Sequence, residues 1–243
     1  MSDPRETFRA LLEGRGITVT ERQLEQFEIY YRELVEWNEK MNLTGITEKE
    51  QVYVKHFYDS ISLSFFHPLE GVRSIADIGS GAGFPSIPLK IVYPHLRVTI
   101  VDSLQKRIGF LRHLTERLGV TEVECVHGRA EDVARLAAHR DRYDVVTARA
   151  VARLSVLSEF CLPFARPQGV FIAMKGSEPS EELKEAAFAL KELGGSVEAD
   201  HSFELPMEQS GRHIIIVRKT KATPGKYPRK AGVPLKFPLI GGK

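Results

Sequence analysis

From Gly71 onward the chain alternates short Val- and Ile-rich runs with longer amphipathic stretches, and this alternation constrains its fold more than any other feature. The apolar runs are Ser74–Ile78, Val98–Val101, Val123–Val126, Asp144–Ala148 and Val170–Met174. Between them lie stretches of helical character such as Gln105–Leu118, where Ile108, Leu111 and Leu118 sit among Lys and Arg. Strands alternating with helices predict βαβ units and a parallel sheet covered on both faces. Ser180–Leu193 is a further helix, with Ser180 as its N-cap and Glu181 and Glu182 in the first turn, where negative charge suits the helix dipole. Ser196–Leu205 and His213–Arg218 are two more strands, and their connection is too short for a crossover helix, so they pair antiparallel. The expectation over residues 71–219 is a mostly parallel, seven-stranded α/β sheet of Rossmann-like type.

Residues 1–70 form a helical extension packed on that core. Thr20 and Gln23 have the spacing of a capping box, with Val19 and Leu24 as the apolar staple around it. Leu24, Phe27, Tyr31 and Leu34 then fall on one helical face. The other end differs. Residues 220–243 carry Pro224, Pro228, Pro234 and Pro238, and proline lacks the donor that helix and ladder require, so an extended arm is expected there. From Gly211 onward there are nine basic residues and no Asp or Glu; removing nine from the 34 basic residues leaves 25 against 32 acidic ones, a balance of −7. A positive tail on a negative body points to a polyanion, or to no more than a solubilising terminus.

Other classes are disfavoured. No apolar run approaches the ~20 residues of a membrane helix, and the N-terminus has no continuous apolar stretch of the secretory kind. Cys125 and Cys161 show neither a CxxC nor a metal-ligand spacing. These features predict a cytoplasmic chain without a metal, disulfide or membrane anchor, and a monomer is expected.

The strongest chemical signal is Asp77-Ile78-Gly79-Ser80-Gly81-Ala82-Gly83-Phe84, between the first strand and the run around Ile87–Val92. Glycines there let a ligand approach the backbone at the carboxyl end of the strand. The dinucleotide pattern GxGxxG requires glycine where Phe84 stands, which argues against a nicotinamide enzyme. The GxGxG spacing instead resembles the loop that holds S-adenosylmethionine in class I methyltransferases. Asp102, directly after the second strand, suits ribose hydroxyls, or else caps the next helix, a task Ser103 can share. Gly128-Arg129-Ala130-Glu131-Asp132, after the third strand, faces an adenine or simply starts a helix.

Acceptor chemistry narrows by elimination. Methylating carbon 5 of a pyrimidine needs a cysteine nucleophile, yet Cys125 and Cys161 fall inside predicted elements. Methylating an exocyclic amine calls for an Asn or Asp with two prolines and an aromatic after the fourth strand, where Thr147-Ala148-Arg149-Ala150-Val151 stands. A ring nitrogen such as guanine N7, with a free in-plane lone pair, needs neither.

Nearly the whole chain is similar to the RsmG (GidB) family of bacterial ribosomal RNA small-subunit methyltransferases. The matching residues are Trp37-Asn38, Met41-Asn42-Leu43-Thr44, His56-Phe57-Tyr58-Asp59-Ser60, the cofactor loop Asp77 through Pro88, Asp102-Ser103-Leu104 with Lys106-Arg107, Arg149-Ala150-Val151-Ala152, Met174-Lys175-Gly176 and Tyr227-Pro228-Arg229-Lys230-Ala231-Gly232. Ser86 and Ile61 depart from the family's usual glycine and leucine. The resemblance implies N7-methylation of a guanine in 16S ribosomal RNA, naked or in the small subunit, with S-adenosyl-L-methionine as donor. Gly79, Gly81, Phe84, Asp102, Ser103, Ala130, Glu131 and Arg149 are the expected cofactor contacts. Arg149, Lys175, Lys219, Lys221, Lys226, Arg229 and Lys230 are the expected RNA contacts. His56, Asp59 and Lys175 are candidates near the acceptor, although His56 and Asp59 can equally bond each other in the core. The alternatives are a class I methyltransferase for a small molecule or protein, which leaves the basic tail without a role, and an RNA-binding module without catalysis.

Overall fold

A computed structural model describes residues 3–176 and 179–241. Five helices open it: α1 (Pro4–Glu13), α2 (Glu21–Met41), α3 (Lys49–Val52), α4 (Asp59–Ile61) and α5 (Leu63–Phe66), with a π-helical turn over Tyr53–Tyr58 between α3 and α4. The capping box is present: the Gln23 amide donates to Thr20 Oγ1 at 3.2 Å, and the Thr20 amide to Gln23 Oε1 at 2.8 Å. Leu24, Phe27 and Leu34 are buried as expected, but the fourth member of the stripe is Tyr30, while Tyr31 is half-exposed. On an ideal helix both positions flank the axis through Phe27, and the packing partner chooses between them.

The sheet follows: β1 (Ser74–Ile78), β2 (Arg97–Asp102), β3 (Val123–His127), β4 (Tyr143–Arg149), β5 (Ala165–Lys175), β6 (Gly195–Glu204) and β7 (Gly211–Lys219). Between them stand α6 (Ser86–Val92), α7 (Gln105–Leu118), α8 (Ala130–Val133), α9 (Leu154–Cys161) and α10 (Ser180–Leu193). Strand order is β3-β2-β1-β4-β5-β7-β6, with β1 to β5 parallel and β7 antiparallel to both β5 and β6. The order reverses between β1 and β4. In open α/β sheets the crevice outside the carboxyl ends of the strands at such a reversal is where ligands bind.

Side chains leave the strands alternately and build a core on each face. Ile75, Val98, Ile100, Val145, Ile172, Ile214 and Ile216 point to one side, where they meet Leu24, Phe27, Phe57, Ile87 and Leu111. Ala76, Val101, Val146, Ala148, Phe171, Ile215 and Val217 point to the other, against Leu154, Phe160, Leu190 and Tyr227. The N-terminal helices therefore share a core with the sheet and form one of its two outer layers.

Three details depart from the sequence reading. β5 begins at Ala165, five residues before the Val170 run, because Tyr143 pairs with Ala165 ahead of a register shift. Pro179, not Ser180, occupies the N-cap of α10, and no side chain caps it. The C-terminal arm contains a short helix, α11 (Val233–Lys236), which Pro234 enters within the first turn, where its missing donor costs nothing. Among the described residues no helix is long and apolar enough to cross a membrane.

Candidate active site

The turn after β1 takes its shape from glycines that no other residue can replace cheaply. Gly79 (φ +74°) donates its amide to Val101 O at 2.8 Å, and a β-carbon on it would meet Val151 Cγ2 at 2.9 Å. At Gly83 (φ +100°) a β-carbon would meet both Ile87 Cγ1 and Tyr30 Oη at 2.8 Å. Gly81, between them, faces open space. Tyr30 reaches the turn from α2 and donates its hydroxyl to Ala82 O at 2.6 Å. Asp77, at the end of β1, accepts the Ser86 amide at 3.1 Å and so holds the start of α6, where a residue with ordinary helical angles suffices.

Asp102 stands at the next strand end, 3% exposed. Its Oδ2 accepts the Gly81 amide at 3.2 Å and its Oδ1 the Leu104 amide at 2.9 Å, so it braces the glycine turn and the approach to α7; the N-cap of α7 is Leu104, and neither Asp102 nor Ser103 caps that helix. Ser103 is exposed, and only its carbonyl is engaged, by His127 Nε2 at 3.1 Å. At the end of β3 the Gly128 amide donates to Asp102 O at 3.1 Å, Ala130 is half-buried, and Glu131 is 3% exposed. The segment does start a helix, since α8 begins at Ala130.

The residues present fit S-adenosylmethionine. Asp77 Oδ1 and Ser80 Oγ are buried beside the turn without hydrogen-bond partners, an acceptor and a hydroxyl suited to the ammonium and carboxylate of an amino acid. Asp102 Oδ2 also faces Arg107 Nη1 at 3.5 Å, whereas Oδ1 accepts only the Leu104 amide and keeps a lone pair for a ribose hydroxyl. Burial, only partly offset by the Ser86 amide and the charge of Arg149, pushes the Asp77 carboxyl up to about 7. A nearby ammonium would favour its ionised form.

The carboxyl ends of β4, β5 and the start of β7 border a cavity of about 390 Å³ with Lys55, His56, Asp59, Arg149, Lys175 and Arg212 in its wall. Asp59, 5% exposed, accepts from Arg149 Nη1 at 2.9 Å and from Arg212 Nε at 3.2 Å. Lys175 donates to Ala152 O at 3.0 Å and pairs with Glu182 at 2.7 Å. Lys55 pairs with Glu208 at 2.7 Å. His56 and Asp59 do not bond each other; His56 Nε2 lies 2.8 Å from Thr44 Oγ1. Burial, and then the charge of Arg149, push the His56 imidazole down to about 3, so it is neutral near pH 7. Phe84 separates cavity from turn: Tyr30 stacks on it at 5.4 Å, His56 at 4.7 Å, and the Arg149 guanidinium lies 4.8 Å from its centre.

The basic tail divides. Lys221, Lys226 and Lys230 are exposed, whereas Lys243 lies outside the described residues. Lys219 and Arg229 are corrections. Lys219 is 0% exposed, and its ammonium donates to Asp141 Oδ1 at 2.9 Å and to the carbonyls of Leu162 and Ala165 at 2.6 and 3.1 Å. Arg229 grips the buried Glu159 with Nη2 at 2.7 Å and Nε at 3.0 Å. Lys219 is enclosed and cannot reach RNA, its ammonium spent on the half-buried Asp141 and two carbonyls, and Arg229, itself half-buried, is committed to the enclosed Glu159. Arg212 and Lys55 were not singled out from the sequence. The only hint was charge beside predicted strand or helix residues, which is more often a solvated edge.

Sheet order, the glycine turn at its reversal and an acid at the next strand end together define a class I methyltransferase of the Rossmann-like type. Solved structures with this fold include an O-methyltransferase from Bacillus cereus in complex with SAH (TM-score 0.57, 17% identity, 88% of this chain and 99% of that one). Another is TrmN from Thermus thermophilus (TM-score 0.52, 15% identity, 69% of this chain and 53% of that one). Closer relationships are visible in sequence. The family model GidB, rRNA small subunit methyltransferase G, matches residues 23–214. The ribosomal RNA small subunit methyltransferase G of Halalkalibacterium halodurans is 60% identical over 232 residues, 96% of this chain and 98% of its own length. That of Bacillus thuringiensis is 56% identical over 234 residues, with the same coverage. This chain belongs to the rRNA small subunit methyltransferase G family.

Proposed function

We propose that the protein transfers a methyl group from S-adenosyl-L-methionine to N7 of a guanine in 16S ribosomal RNA, acting in the cytoplasm as a monomer. The observation that carries this reading is 60% identity to a ribosomal RNA small subunit methyltransferase G along 96% of the chain. The site is consistent with it. On this reading Gly79, Gly81, Phe84, Asp102, Ser103, Ala130, Glu131 and Arg149 surround the cofactor, and the cavity beside them receives the guanine. When bound, the cofactor supplies a methyl group on a sulfonium, which departs as a neutral thioether.

N7 has its lone pair in the ring plane and no proton, so the chain's residues have to orient and shield it rather than deprotonate it. Holding the base in line with the departing sulfur is worth effective molarities on the order of 10⁵ M. Positive charge passes to the purine, and a neutral His56 in the cavity wall avoids opposing it. Lys55 and Lys175 are matched by Glu208 and Glu182, while Arg149 and Arg212 share the one carboxylate of Asp59. Among the described residues this leaves one surplus positive charge, which suits a phosphate of the acceptor strand.

The test uses small-subunit RNA and intact subunits from a strain lacking the protein, incubated with purified enzyme and radiolabelled donor. Strand cleavage after borohydride and aniline treatment should locate the label at a single N7-methylguanine. Label on another atom, or none on either substrate, would overturn the reading.

A further inference from the structure

The motif Tyr227–Gly232 has no place in the function derived so far, although its residues stand out in the sequence. The structure fastens it to the segment that begins at Glu131. Arg135 donates to the carbonyls of Lys226 and Pro228 at 3.2 and 2.5 Å, and Arg140 to those of Thr223 and Tyr227 at 2.8 and 2.9 Å. Arg229 adds its grip on Glu159 of α9. Tyr227 is buried at 6% exposure, so this stretch is a docked element and not a loose tail. It ends at Gly232, whose amide donates to Glu131 Oε1 at 2.8 Å. Gly232 has φ +81°, a conformation at the N-cap of α11 that a β-carbon would strain.

Glu131 is where this matters. It lies three residues after Gly128, whose amide donates to Asp102 O at 3.1 Å, and it is 3% exposed. A buried carboxylate oxygen without a donor is costly, so removing Gly232 would let Glu131 turn toward water and carry its loop with it. We infer that the C-terminal arm is a strap that sets the adenosine end of the cofactor site, with Gly232 as the positioning residue that holds Glu131 through its amide. The inference rests on the reading of Ala130 and Glu131 as cofactor contacts. Linkage makes it reciprocal: if the docked arm favours the cofactor, the bound cofactor favours the docked arm by the same factor.

The test needs no variant at first. Amide hydrogen exchange of the intact chain is followed with and without saturating S-adenosylhomocysteine. The Gly232 amide and the peptide around it should exchange on the order of tenfold more slowly in the complex. Unchanged exchange there, with the nucleoside demonstrably bound, would overturn the strap. Failure of S-adenosylhomocysteine to bind the intact chain at all would instead strike the cofactor reading itself. A thermodynamic cycle gives a second measurement, using a chain ending at Lys230, which keeps the Arg229 grip, with and without Glu131→Ala. Each change alone should weaken S-adenosylhomocysteine binding on the order of tenfold, and the two together no more than the stronger one. Losses that multiply, or affinity of the shortened chain within about twofold of the intact one, would refute the coupling.

Discussion

Asp102 carries two loads at once, since the carboxylate that suits a ribose diol also accepts the amides of Gly81 and Leu104. Asp102→Ala should therefore weaken S-adenosylhomocysteine binding by at least an order of magnitude and also cost about 1–2 kcal/mol in urea denaturation, because two amides lose their acceptor. Unchanged affinity in calorimetry would remove Asp102 from the site. His56 makes a prediction of a different kind. Its imidazole is pushed down to about 3 by burial and by Arg149, so the folded state favours the neutral form. That contribution is present above the ordinary histidine value of ~6.5 and is lost as the pH falls toward 3, with a slope of up to ~1.4 kcal/mol per pH unit. Replacing the ring by the isosteric amide in His56→Gln should flatten melting temperature against pH in this window. Parallel curves for the two proteins would show that another group sets the acid limb.

Elements decide how these residues meet. α2 belongs to the N-terminal layer, yet through Tyr30 it reaches the turn between β1 and α6 and bonds Ala82 O. Tyr30→Phe should cost about 1–2 kcal/mol of stability and, by loosening the turn, raise the S-adenosylhomocysteine dissociation constant several-fold. Gly83→Ala should be worse, because the new methyl would stand 2.8 Å from Ile87 and from Tyr30 Oη in a backbone conformation that already penalises it. Thermal melts of both variants rank the two effects, and a Gly83→Ala protein as stable as the parent would contradict the geometry. The capping box at Thr20 and Gln23 and the bounds of Gln105–Leu118 were legible in the sequence, since both depend on neighbours within a turn or two. The choice of Tyr30 over Tyr31 was not. It depends on Phe57 and Phe84, which lie far along the chain and pack against that ring, Phe84 by stacking and Phe57 at a tilt.

For the whole molecule the question is what the basic C-terminus does. Lys221, Lys226 and Lys230 are its exposed cations between β7 and α11, and together they bear on polyanion binding. Replacing all three with alanine should lower the slope of log K for RNA against log salt by about 2 to 3, at ~0.7–0.9 for each phosphate that a lysine neutralises. S-adenosylhomocysteine affinity should stay unchanged in that protein. An unaltered salt slope would show that the tail does not touch RNA. Arg229 belongs to another category. Arg229→Ala would leave the buried Glu159 with the residue-229 amide but without its counter-charge, a loss of about 3 kcal/mol that a melting curve would register before any RNA measurement did.

The places of the strands, the parallel sense of the first five, the antiparallel last pair, the glycine turn and the acids at the strand ends were written in the sequence, whereas the strand order and its reversal between β1 and β4 were not. Each legible feature follows from a period of two or 3.6 residues, or from a backbone angle that only glycine accepts cheaply. Tertiary structure alone settled the fate of the charges. Lys219 is buried at the end of β7 against Asp141, Arg229 locks the arm to Glu159, and Arg149 and Arg212 converge on Asp59 from two strands. A side chain's charge is local, but whether it faces water, a nucleic acid or an enclosed carboxylate depends on residues 70 or more positions away, which no local pattern encodes.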